Sequence, residues 1–157
     1  ALKEFPTHQL FFTAPNLDQD GDLIRDAINI FVGQNPNAYF FESLGGQCYL
    51  SLMRHASCVV GNSSSGLTEV PFLGTPSINI GIRQSGRTGL DNIININARK
   101  SLIINKVKKV LSQKISNNNK KISRDVYFKK GATNKIEKML TKILSKKIKK
   151  YPFYDYL

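Results

Sequence analysis

Residues 59–87 read VVGNSSSGLTEVPFLGTPSINIGIRQSGR, and this stretch decides the fold. A short apolar run, 58–60, feeds a loop of glycines and serines, 61–66. A helix is expected over 66–73, then a buried strand at 77–80, then a loop that carries Arg83 and Arg87. Strand, turn, helix, strand in so few residues is the repeating unit of a parallel α/β sheet. Such sheets bind ligands outside the carboxyl ends of their strands. The serine loop and the arginine loop would both lie on that edge. Backbone N–H groups and hydroxyls suit phosphate, a carboxylate suits a ribose diol, and arginine suits remaining negative charge. The stretch therefore fits a nucleoside diphosphate.

The same alternation extends in both directions. Strands are expected at 10–14, 38–41 and 93–96, each a short apolar run bounded by turn residues. Helices are expected at 21–32, 47–55 and 101–111. In the first, Leu23, Ile24, Ala27, Ile28 and Phe31 would form the core face, with Asp20 as N-cap and Gly33 as C-cap. The third has Leu102, Ile103, Val107, Val110 and Leu111 facing the core. Loops 13–18, 42–46, 61–66 and 81–88 would converge on one cleft. Residues 113–124 are polar and read as a loop. A long helix is expected at 131–150, and its segment 135–150 alternates lysines with Ile136, Met139, Leu140, Ile143, Leu144 and Ile148 at helical spacing. The apolar face of that segment should dock on the sheet, and the aromatic tail, 151–157, should dock as well.

With 157 residues the chain is one domain in length. Its net charge of +12 raises the question of an anionic polymer as partner, but seven lysines fall in 135–150 on the outer face of an amphipathic helix. Charge runs of that kind are usually solvated faces, so neither nucleic acid nor a membrane surface is expected as partner. No run approaches the ~18 apolar residues of a membrane span. Residues 1–12 carry Lys3, Glu4 and His8 and offer no signal-peptide core. Cys48 and Cys58 lie in apolar patterns without metal-ligand spacing, which reads as two reduced core cysteines of a cytoplasmic protein. No metal or cofactor is expected.

Each candidate residue has a plainer reading beside the functional one. The segment 61–66, with Ser63, Ser64 and Gly66, is either a phosphate cradle or a serine-capped turn, and it matches neither the Walker nor the dinucleotide glycine pattern. Glu69 is either a ribose-diol acceptor or a capping glutamate at the third helical position. Arg83 and Arg87 either clamp phosphates or point to solvent. His8 and His55 fit structural roles. Asp18, Asp20, Glu42 and Glu69 form no paired acid–base arrangement by spacing, so the chain reads as a nucleotide-holding part whose reaction partners lie elsewhere.

Taken together, the segments resemble the C-terminal domain of hydrolysing UDP-N-acetylglucosamine 2-epimerases, enzymes of sialic and related nonulosonic acid pathways. The resemblance is carried by residues 13–18, by 42–44 with 49–52, by the 61–66 loop with Glu69, and by 79–81 with Arg83, Gln84, Gly86 and Arg87. Tyr127 with Gly131, and residues 153–155, add to it. It implies a Rossmann-like parallel sheet flanked by helices, the C-terminal half of a GT-B-type two-domain fold. It implies that Ser63 and Ser64 contact the diphosphate, Glu69 the ribose, and Arg87 with Arg83 the phosphates. Tyr49 and the Ser43–Leu44 backbone would lie near uracil, and Asn16 near the sugar phosphate. Arg87 would stabilise the leaving group; no other catalytic residue is expected in these 157 residues. The family reaction removes UDP from the sugar and hydrates the resulting glycal to N-acetylmannosamine. The N-terminal domain with its catalytic carboxylates, the opening strand of this domain and a catalytic histidine near it are not among these residues. The chain is thus expected to be a truncated, inactive piece of a homo-oligomeric enzyme. Two alternatives remain open: a GT-B glycosyltransferase donor domain, and a 2,4-diacetamido-sugar epimerase of legionaminic acid synthesis. A non-enzymatic basic module is a third.

Overall fold

The computed structural model describes residues 1–16, 20–87, 92–113 and 130–145. Among the described residues, five short parallel strands are interspersed with helices, a Rossmann-like α/β arrangement. Strand β1, Leu10–Thr13, is followed by α1, Gly21–Gln34, and β2, Ala38–Phe41. Helix α2, Gly45–His55, leads to β3, Val59–Gly61. A 3-10 turn, Ser64–Gly66, and α3, Glu69–Phe72, precede β4, Ser77–Ile80. Then come β5, Ile93–Ile96, and α4, Lys100–Ser112. Another 3-10 turn, Leu2–Glu4, stands before β1.

The expected single sheet is instead two. β1 pairs with β2, and β3, β4 and β5 form a separate three-stranded sheet. Register is parallel throughout: Leu10 opposes Ala38, Val59 opposes Ser77, and Ser77 opposes Ile93. Between β1 and β3 lies an apolar slot of about 540 Å³.

The core sits on the Ile78 face of β4. Ile78 is 0% exposed and clusters with Phe5, Val107 and Val110. Burial of such a side chain contributes about 1.5–3 kcal/mol. Helix α4 delivers its expected face here, with Ile103 and Leu111 packed at the margin.

Three local readings need correction. Helix α1 begins after Asp20, which adopts a left-handed backbone (φ 69°) and makes no side-chain cap bond. It runs through Gly33 to a C-cap at Asn35, whose amide Nδ2 donates to the Phe31 carbonyl at 2.6 Å. Of the expected core face of α1, Ile28 and Phe31 are partly covered, with Phe31 edge-on to Phe12 at 5.5 Å, whereas Leu23, Ile24 and Ala27 are exposed. Second, the helix expected over 66–73 contracts to the four residues of α3. Pro71 has no N–H to continue an earlier turn, so the chain passes through a 3-10 turn first. Third, Cys48 is exposed on α2, so only Cys58 is a partly buried cysteine; burial pushes its thiol pKa up.

Residues 124–157 form a second compact unit, whose described part is α5, Ala132–Leu144. Its apolar residues Ile136, Met139, Leu140, Ile143 and Leu144 are exposed. Tyr127 and the tail 151–157 lie outside the described residues, as do Asp18 and most of 113–124. Among the described residues, no helix is long and apolar enough to cross a membrane. No group of three or more potential metal ligands occurs among them.

Candidate functional site

The carboxyl ends of β3 and β4 project the serine loop and the arginine loop side by side. One hydrogen bond ties them: Gln84 Nε2 donates to the Asn62 carbonyl at 2.8 Å. Gln84 is only 6% exposed, while its neighbours Arg83, Ser85 and Arg87 are exposed. The arginine loop is shaped by two left-handed glycines, Gly81 (φ 78°) and Gly86 (φ 82°), positions where a Cβ would be strained. Gly81 N–H donates to the Ile96 carbonyl at 2.8 Å, which anchors the loop to β5. Arg87 N–H donates to the Gln84 carbonyl at 3.3 Å.

Within the serine loop, Ser63 Oγ accepts from Ser65 N–H at 3.4 Å, so Ser63 caps the turn. Ser63 and Ser64 are exposed. Gly66 is buried, and a Cβ there would stand 3.0 Å from Ser77 Oγ, so its smallness lets the turn lie on β4. Thr68 Oγ1 donates to the Ser64 carbonyl at 3.1 Å and also contacts the Glu69 carboxylate. Glu69 is thus exposed beside the serine loop, at the first residue of α3 and not at the third position of a longer helix.

Tyr49 reaches the same loop from α2. Its hydroxyl donates to Ser65 Oγ at 3.1 Å, and Ser65 Oγ donates in turn to Met53 Sδ at 3.5 Å. The structure therefore gathers Ser63, Ser64, Gly66, Glu69, Tyr49, Arg83 and Arg87 around two adjoining loops. Ser43, Leu44 and Asn16 sit at the ends of the other sheet, β1–β2. Ser43 Oγ accepts from Gly45 N–H at 3.3 Å at the start of α2. Asn16 is exposed, and its carbonyl approaches Gly21 so closely that a Cβ there would stand 2.4 Å away. Glu42 is engaged: Arg25 pairs with it, and that hydrogen bond is the main cause of the raised Arg25 pKa. His55 caps its own helix, its Nδ1 2.8 Å from the Ser51 carbonyl.

Two residues that the sequence reading named only as parts of a motif, without a role, are buried at this site. Gln84 is one. The other is Asn79, 4% exposed on β4, whose Nδ2 donates to Asn95 Oδ1 of β5 at 2.8 Å across the register pair. Both residues keep a buried oxygen without a hydrogen-bond partner among the described residues. Both line a cavity of about 450 Å³ with Arg87, Asn95 and Asn97. The signal was available for the asparagines: each separates two isoleucines, at the third residue of Ser77–Ile80 and of Ile93–Ile96. Chemically, the two loops offer hydroxyls, backbone amides and two guanidinium groups to an anion, with a carboxylate beside them.

Residues 1–141 match the family model described as UDP-N-acetylglucosamine 2-epimerase. The chain is 48% identical over 87 residues to the GDP/UDP-N,N'-diacetylbacillosamine 2-epimerase (hydrolyzing) of Campylobacter jejuni, covering 55% of this chain and 23% of that protein. It is 32% identical over 155 residues to the polysialic acid biosynthesis protein P7 of Escherichia coli, covering 95% of this chain and 38% of that protein. A 47-residue stretch is 49% identical to the UDP-N-acetylglucosamine 2-epimerase of Neisseria meningitidis serogroup B, covering 30% of this chain and 12% of that protein. In each case the match spans well under half of the relative.

Proposed function

The chain belongs to the UDP-N-acetylglucosamine 2-epimerase family, and from that premise we propose that it forms the UDP-holding part of a hydrolysing UDP-sugar 2-epimerase acting in the cytoplasm. The observation that carries this reading is the Gln84–Asn62 bond, which holds the serine and arginine loops together at one sheet edge. Ser63 and Ser64 then meet the diphosphate, Arg83 and Arg87 face its charge, and Glu69 accepts from the ribose diol. Tyr49 supports the serine loop through Ser65 and stands toward the base.

In the proposed reaction a base on the rest of the enzyme removes the proton at C2 of the sugar. The C1–O bond to UDP breaks on the opposite face, and its electron pair leaves with the diphosphate. A 2-acetamidoglucal and UDP result. Water adds at C1 and a proton returns to C2 from the other side, giving the epimeric free sugar, N-acetylmannosamine from UDP-N-acetylglucosamine. The contribution of this chain is electrostatic: fixed donors placed where negative charge develops as UDP departs.

The test is NMR of the intact protein with UDP-N-acetylglucosamine in deuterium oxide. UDP release without any acceptor, with deuterium at C2 of N-acetylmannosamine, is expected. UDP release only when an acceptor alcohol is added would instead mark a glycosyltransferase and overturn the reading. Relatives named for UDP-N,N'-diacetylbacillosamine favour that diacetamido sugar as the second substrate to try; faster turnover with it would reassign the sugar and leave the reaction intact.

A further inference from the structure

Thr68 stands where the usual service of a threonine is closed to it. It holds the N-cap position of α3, where a hydroxyl normally accepts from the N–H of the second or third helical residue. Its side chain makes no such bond, and its backbone is helical (φ −107°, ψ −71°) rather than extended. The third helical residue is Pro71, which has no N–H to give. The half-buried side chain turns instead to two acceptors, the Ser64 carbonyl at 3.1 Å and the Glu69 carboxylate. A hydroxyl has one proton, so only one of them receives it at a time.

Counting lone pairs decides which. The Ser64 carbonyl already accepts from Leu67 N–H at 2.9 Å and from Thr68 N–H at 3.1 Å. Those two donors fill the two lone pairs of a carbonyl oxygen. The carboxylate is charged and is the stronger acceptor. Among the described residues no other donor reaches it. The proton therefore rests with Glu69. The backbone beneath is fixed, because Leu67 (3% exposed) and Val70 (0%) are buried on either side of Thr68 and Glu69. Glu69 itself is exposed, and without the Thr68 bond its side-chain torsions would be free.

We propose that Thr68 is a positioning residue, whose hydroxyl fixes the Glu69 carboxylate beside the serine loop and makes the site select a nucleotide with both ribose hydroxyls. This rests on the reading of Glu69 as the ribose acceptor. The bond uses Oε2 alone, so Oε1 and the second lone pair of Oε2 stay open. A vicinal diol needs just that, one acceptor oxygen for each hydroxyl. The ordering of Glu69 is then complete before the nucleotide arrives, and its cost is not charged to binding. A ligand without the diol gains nothing from it.

Calorimetric titration of the full chain tests this with three ligands: UDP, 2′,3′-dideoxy-UDP and inorganic diphosphate. Thr68→Val removes the hydroxyl and keeps the branched shape. It should weaken UDP about threefold to tenfold, the worth of immobilising one flexible side chain, and leave the other two ligands within about twofold. Thr68→Ser keeps the hydroxyl and should restore UDP binding. In a Glu69→Ala background Thr68→Val should change nothing further, since the two side chains then act as one unit. Equal weakening of all three ligands would mean that Thr68 shapes the serine loop through Ser64, and failure of serine to rescue would mean that the methyl group matters; either overturns the proposal. So does a valine variant that still prefers UDP over dideoxy-UDP as the parent does, with the ribose reading of Glu69 left standing. A parent that binds those two nucleotides equally removes that reading and the proposal together.

Discussion

Replacing Gln84 by methionine separates two contributions that usually move together. Among the described residues the side chain makes one hydrogen bond, 2.8 Å to the Asn62 carbonyl, and leaves Oε1 buried without a partner. Methionine has nearly the same length and no polar group to satisfy. Loss of the bond costs about 0.5–1.5 kcal/mol, while removal of an orphaned acceptor recovers about 1–3 kcal/mol. Asn62 is exposed, so water can take up its carbonyl. The net change in folding stability falls between about −0.5 and +2.5 kcal/mol, a Tm that holds or rises by a few degrees. Ligand binding moves in the other direction. Without the tether the arginine loop is no longer fixed against the serine loop, and about 1 kcal/mol of preorganisation is lost. That corresponds to about fivefold weaker UDP binding. UMP lacks the second phosphate and should weaken less, so the ratio of UDP to UMP affinity falls. Calorimetric titration of the intact protein with both nucleotides, beside thermal unfolding, gives all three numbers. A Tm lowered by more than about 5 °C with an unchanged UDP to UMP ratio would refute the reasoning and make Gln84 a purely structural residue.

Glu69→Ala should weaken UDP about tenfold or more, the worth of a charged hydrogen bond, and leave inorganic diphosphate nearly unchanged, because a carboxylate helps a diol and repels phosphate; equal loss for both ligands in titration would reduce Glu69 to a partner of Thr68. In the intact protein, Arg87→Ala should lower kcat by about 10²–10³ with a smaller change in KM, as expected for a group that meets charge developing at the departing diphosphate; steady-state release of UDP measures this, and an unchanged kcat removes Arg87 from the site. At mildly alkaline pH, Cys48 should react with a thiol reagent before Cys58, since Cys48 is exposed and burial raises the Cys58 pKa. Peptide mapping after partial labelling reads the order, and the reverse order would contradict the placement of both residues.

Strand 38–41 was legible as a continuous apolar run closed by a turn, and 77–80 and 93–96 as short isoleucine-bearing runs, each with an asparagine at its third position. Pattern shows that a strand exists but not what lies beside it, so the gap between β1 and β3 was invisible in the apolar runs themselves. The shortening of α3 was written in Pro71, yet the following leucine and glycine suggested a longer helix with an ordinary end. The exposed part of the site, Ser63, Ser64, Glu69 and the two arginines, stands out by chemistry. Gln84 does not, because a polar residue in a glycine-bearing loop looks solvated, and its burial depends on a carbonyl 22 positions earlier. Cys48 misled for the converse reason: an apolar neighbourhood in sequence fell on the outer side of α2.

The brevity of α3 bears on what kind of anion the site prefers. A long helix projects a diffuse field that any negative ion feels in proportion to its charge. Four residues project little of it. On the reading proposed above, attraction comes instead from separate donors: two serine hydroxyls, loop amides and two guanidinium groups beside this short helix. Such an array reads atom positions more than net charge. Buffer ions such as chloride or sulfate then compete poorly even when abundant, and selectivity among nucleotides follows the geometry of the diphosphate bridge.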